Sequence, residues 1–143
     1  MALQGMIRAI ESARERAARE QRLHPTDFSC ISFLYRTNGP VSPTQVISYL
    51  GLSSGSGTAL LDRLERAGYI RRLPNPEDRR SVLIELDIEK AAEPIARYRE
   101  IEQVYSAITE ELSEDNLKVV ASFLEQMIGL TTKVSDGFDT KTV

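Results

Sequence analysis

The sequence of 143 residues has no tryptophan, one cysteine and one histidine. Cys30 has no intrachain partner, which excludes a disulfide scaffold. With His24 as the sole histidine, no Cys/His cage for zinc can be assembled, and neither a metal nor another cofactor is expected. Long apolar runs are missing too. Stretches such as Val82-Leu83-Ile84 fall far short of the ~18 residues that cross a bilayer. Near the N-terminus, Arg8, Glu11, Arg14 and Glu15 interrupt any secretory apolar segment. There is no glycine loop to cradle phosphate, and no nucleophile with a base and an orienting group, so no enzyme is expected. What is there, 41% hydrophobic and 27% charged residues, suits a folded domain, expected in the cytoplasm and off the membrane.

A formal charge of -3 argues against a protein that coats nucleic acid indiscriminately. The distribution along the chain is more informative. Arg63, Arg66, Arg71, Arg72, Arg79 and Arg80 form a block without lysine, and a strongly acidic stretch follows from Glu85 to Asp115. Such a block is either an ordinary solvated face or the side that meets an anion. Its scaffold decides.

Periodicity supplies that scaffold. Leu3, Ile7, Ile10, Arg14, Ala17 and Ala18 recur at helical steps and predict a helix over 3–22, broken at Leu23-His24-Pro25. Thr26 or Asp27 can cap a second helix that runs to Asn38. Ser42-Pro43 opens a short third helix that ends at Gly51, and Ser53 or Ser54 caps a fourth that stops before Gly68. Two short capped helices around a glycine turn outline a helix-turn-helix. The period then falls to two. Tyr69–Leu73 and Ser81–Leu86 read as strands joined by a charged loop. A long helix is expected from Asp87 to about Leu112, with a kink or restart at Pro94. A last helix follows Ser113, and a polar tail begins at Thr131.

The expected fold is therefore mainly α with a small β-hairpin wing: a winged helix-turn-helix over 26–87, flanked by amphipathic helices over 1–24 and 88–135, with residues 131–143 as a tail. Rods with an apolar stripe and little core of their own find a partner on another chain, which predicts a homodimer.

In the fourth helix, Leu60, Leu61 and Leu64 converge on one side, joined by Gly57, while Gly55, Thr58, Ala59, Asp62 and Arg66 face away. Its N-terminal outer face is small and hydroxylated. That suits close approach to a phosphate or a major groove; Gly55 and Gly57 also fit a late helix start capped by Ser56, and the two readings are not exclusive. Arg79 and Arg80, beyond Asp78 in a loop stiffened by Pro74 and Pro76, could be held out toward a narrow minor groove; alone, the loop reads as solvated surface.

Taken in order, the stretch from Leu52 to Arg72 resembles the recognition helix and first wing strand of the MarR-type (multiple antibiotic resistance regulator) transcription factors. Pro76–Leu86 resembles their wing, with its Asp-x-Arg signature on Asp78 and Arg80. The resemblance implies a homodimer bound to an inverted repeat in double-stranded DNA, and a repressor is expected. It places Ser54, Gly55, Ser56, Thr58 and Ala59 at the major groove and Arg63 at backbone or base edge. Arg80 and Arg79 are placed at the minor groove, with Asp78 orienting the wing arginine. It also implies release by small aromatic effectors, for which Phe28, Tyr35 and Tyr98 are candidates, or by oxidants through cysteine. Such rings are more often simply core, and Cys30, between Phe28 and Ile31, reads as a buried thiol. The alternatives are a winged helix that grips an acidic protein without binding DNA, and a redox sensor using Cys30.

Overall fold

The computed structural model describes residues 1–138. The chain order is α1 (Ala2–Glu20), α2 (Pro25–Thr37), α3 (Pro43–Leu50), α4 (Ser54–Arg66), β1 (Ile70–Pro74), β2 (Val82–Leu86), α5 (Ala92–Glu110) and α6 (Glu114–Phe138). The described residues form two compact units, 1–101 and 102–138, and the boundary falls inside α5.

Caps set the boundaries in the first unit. The Ser42 hydroxyl accepts the Gln45 amide at 3.2 Å while the Gln45 side chain accepts the Ser42 amide at 2.8 Å, a reciprocal box with Pro43 at the first helical position. Gly51 ends α3 in the left-handed region, at φ 63°. Ser53 caps α4 by accepting the Ser56 amide at 3.3 Å, so the helix starts early, and Ser56 is not its cap. Two starts differ from expectation. At α2 the cap is His24, whose Nδ1 accepts from the Thr26 amide, because Pro25 takes the first helical position and moves Asp27 inside the helix. Asp87 opens only a single turn, accepting the Lys90 amide on its side chain, and α5 proper starts at Ala92 with Pro94 in its first turn. The expected restart is there.

β1 and β2 pair antiparallel, with Ile70 opposite Leu86 and Pro74 opposite Val82. Outside this ladder, Ile84 exchanges both backbone hydrogen bonds with Val41, at 2.7 and 3.0 Å, which ties the hairpin to the segment leading into α3. The core beneath gathers Cys30, Ile31 and Leu34 from α2, Val46 from α3, Leu60, Leu61 and Leu64 from α4, and Ile70, Ile84 and Leu86 from the hairpin. Ala17 and Ala18 of α1 bury against Phe28 in a second cluster, which Leu23, Tyr98 and Ile101 border. Arg97 joins α1 to α5 through Glu20 at 2.8 Å.

The second unit carries the remainder of α5 and α6. Val104, Tyr105 and Ile108 on α5, and Val119, Val120, Phe123, Leu124 and Ile128 on α6, are exposed, as are Met6, Ile7 and Ile10 on α1. The segment expected to be a polar tail from Thr131 instead continues α6 to Phe138, since no proline interrupts it; residues 139–143 of that tail lie outside the described residues. No helix among the described residues is long and apolar enough to cross a membrane.

Candidate nucleic-acid interface

Ser54, Gly55, Ser56, Thr58 and Ala59 are all exposed on the first two turns of α4. The two glycines differ. A Cβ on Gly57 would overlap Ile47 Cγ1 and stand 2.7 Å from its Cδ1, so the absent side chain is what lets α4 lie on α3. A Cβ on Gly55 would meet nothing within 4 Å. Gly57 serves internal packing, and Gly55 leaves an open, low surface beside first-turn amides that have no intrahelical acceptor. The hydroxyls here are partly committed: Thr58 donates to the Ser54 carbonyl at 2.9 Å, and Ser53 donates to Ser56 at 3.0 Å.

At about 100° per residue, Ser56, Ala59, Arg63 and Arg66 follow one flank of α4, and Thr58, Asp62 and Glu65 follow the other. The second flank is acidic and is met by Arg72 of β1. Arg72 donates to Asp62 at 2.6 Å and to Glu65, and the Asp62 hydrogen bond leads in holding the Arg72 guanidinium protonated above its ordinary range. On the adjoining hairpin, Arg71 faces Glu85 at 2.9 Å across the ladder. Arg63 meets a carboxylate that sequence reading assigned only to a cap. Asp27, just 4% exposed, accepts Arg63 Nε on Oδ2 at 2.9 Å and Nη2 on Oδ1 at 2.5 Å. That hydrogen-bonded pair raises the Arg63 pKa.

The arginine block thus divides evenly. Arg63, Arg71 and Arg72 each hold a carboxylate. Arg66, Arg79 and Arg80 are exposed and make no ion pair among the described residues. At the wing tip Asp78 shapes the turn through backbone contacts: its carboxylate accepts the Arg80 amide at 2.9 Å, and its carbonyl accepts the Ser81 amide at 3.0 Å. Asn75 closes the loop, donating to the Ser81 hydroxyl at 2.9 Å and accepting the Glu77 amide at 3.0 Å. Asp78 therefore sets the chain direction at Arg80 and leaves its guanidinium unclaimed.

Phe28 is buried, and Tyr35 and Tyr98 are half-buried with ring centroids 6.1 Å apart, edge to face. A ligand entering between the two tyrosines would have to part them. Cys30 is fully buried, and burial, reinforced by the negative charge of Asp27, pushes its thiol up to about 12. A thiol in that state is a poor nucleophile toward oxidants.

A MarR family model matches residues 23–81. The chain is 35% identical over 109 residues to an uncharacterized HTH-type transcriptional regulator of Bacillus subtilis, YcgE, covering 76% of this chain and 70% of that protein. Over 111 residues it is 30% identical to the multiple antibiotic resistance protein MarR of Salmonella typhimurium, covering 74% of this chain and 77% of the relative. The chain belongs to the MarR family. It is a winged-helix, DNA-binding transcription regulator, in a family of regulators and not of enzymes. Its fold is also that of Streptococcus pneumoniae FabT crystallised in complex with DNA, at a TM-score of 0.74 and 23% identity over 93% of this chain and 94% of that one.

Proposed function

We propose that two copies of this MarR-family chain bind an inverted repeat in double-stranded DNA and act as a repressor in the cytoplasm, where the chromosome lies. Residues 1–24 and 88–135 join the copies, and 26–87 reach the duplex. Each α4 enters a major groove with Ser54, Gly55, Ser56, Thr58 and Ala59. Arg63 approaches the backbone, and each wing carries Arg80, flanked by Arg79 and set by Asp78, to the adjoining minor groove. The two α4 helices then stand about 34 Å apart, one turn of duplex. Exposed apolar residues along α1, α5 and α6 support the paired state, since surface of that kind is covered in a stable protein. A small aromatic effector that parts Tyr35 from Tyr98 would release DNA by favouring a dimer whose α4 helices are misplaced for the two half-sites.

One observation carries this reading: of six clustered arginines, the three without a carboxylate partner among the described residues sit on α4 and the wing tip. Selection from random duplex should recover an inverted repeat. On the recovered site, Arg80→Ala should weaken binding severalfold at moderate salt while the dimer and its melting stay intact. Unchanged affinity would remove the wing from the interface. No retention on any duplex at low salt would overturn DNA binding by this chain in favour of an acidic protein partner.

A further inference from the structure

Asp27 is a carboxylate buried beneath the proposed DNA-binding face, in the first turn of α2. It lies on α2, 36 residues before Arg63 on α4, and it engages the guanidinium edge-on through Nε and Nη2. This uses two of the five N–H donors of an arginine. The Arg63 side chain remains 49% exposed against 6% for Asp27, so the remaining donors have access to solvent. An ion pair half in water adds little net stability, and two apolar side chains would pack α2 on α4 as well. What the pair does supply is orientation. A long side chain that would sample many rotamers is pinned at both atoms of a planar fork. It is pinned on the flank of α4 that also carries Ser56, Ala59 and the unpaired Arg66.

We propose that Asp27 is a positioning residue for DNA recognition: its buried carboxylate locks Arg63 in place on α4 so that the outward N–H groups meet a duplex phosphate, fixing how α4 sits in the groove. The inference rests on the DNA-binding reading above and adds to it a residue that never reaches DNA. Asp27 acts on register rather than on charge, so it governs the ratio of specific to non-specific binding.

The test uses the full chain with two duplexes, the site selected by the wild type and a scrambled duplex of equal length, across a salt series. Asp27→Asn removes the lock and keeps the arginine. It should lower affinity for the selected site about tenfold, the order of one mismatched base pair, and leave the scrambled duplex and its salt slope unchanged. Arg63→Lys keeps the charge without the fork and should behave in the same way, without leaving Asp27 bare of a cation. Arg63→Ala should instead weaken both duplexes and reduce the salt slope by about one phosphate contact. A merely structural pair would lower the melting temperature of Asp27→Asn with the ratio of the two affinities unmoved, and that result overturns the inference. A wild type that binds the two duplexes equally would overturn the parent reading instead, and this inference with it.

Discussion

At the scale of the residue, the two glycines of α4 differ in what a side chain would meet. Gly57→Ala would drive a methyl group into Ile47 and should cost about 1–3 kcal/mol in chemical denaturation. Gly55→Ala meets open space and should hold or raise stability, by up to about 1 kcal/mol, while weakening binding to a selected DNA site. Cys30 gives a second prediction, with its sign fixed by burial. Its folded pKa is raised to about 12, whereas an exposed thiol titrates near 9. Its contribution to stability is therefore complete below pH 9 and is lost as the pH climbs from 9 toward 12. Thiol reagents near pH 8 should leave the folded protein unmodified and label it once it is unfolded, as mass spectrometry would show. Labelling of the native protein would reopen the redox reading. The small face around Gly55 and the tip arginines were legible because composition and spacing are local. The Asp27–Arg63 pair was not, since its partners stand on different helices. A signal existed: Asp27 shares a helical face with Cys30, Ile31 and Leu34, where a carboxylate has no business without a partner.

At the scale of the element, punctuation residues did most of the specifying. Ser42-Pro43, Gly51, Ser53 and Gly68 marked α3 and α4 within a residue, because caps satisfy orphan amides locally. Ser42→Ala removes one half of the reciprocal box and should lower stability by about 1 kcal/mol, measurable as a fall in the denaturation midpoint without a change of slope. The alternation of Ile70–Pro74 and Val82–Leu86 was equally plain. Less plain were the ends where two signals compete. At α2 the proline after His24 outweighed the oxygen-bearing side chains of Thr26 and Asp27. At Asp87 the cap was real but opened one turn only, with Pro94 confining the continuous helix to Ala92 onward. The end of α6 is less plain as well: helix expected to 135 overlaps a tail expected from 131, and α6 runs to Phe138, because polar residues such as Lys133 are tolerable helix formers.

At the scale of the whole molecule, net charge misleads because half of the clustered arginines are spent on carboxylates of the same chain. Arg71 and Glu85 form an exposed pair of the kind that contributes under about 1 kcal/mol, whereas Arg72 is gripped from two sides. The proposed paired state is the other property that belongs to this scale. Ile108→Glu together with Phe123→Glu, on two exposed apolar positions, should shift the protein to single subunits in sedimentation and reduce affinity for an inverted repeat by orders of magnitude. Retention of dimers would place the interface elsewhere. The bonds between Ile84 and Val41 carry one last consequence. The hairpin is moored to the entrance of α3 and does not hang from its own base, so a pull on its tip is borne by the helix against which α4 packs. Deuterium uptake at the amides of Val41 and Ile84 should then proceed at one common rate, as a single latch opening and closing.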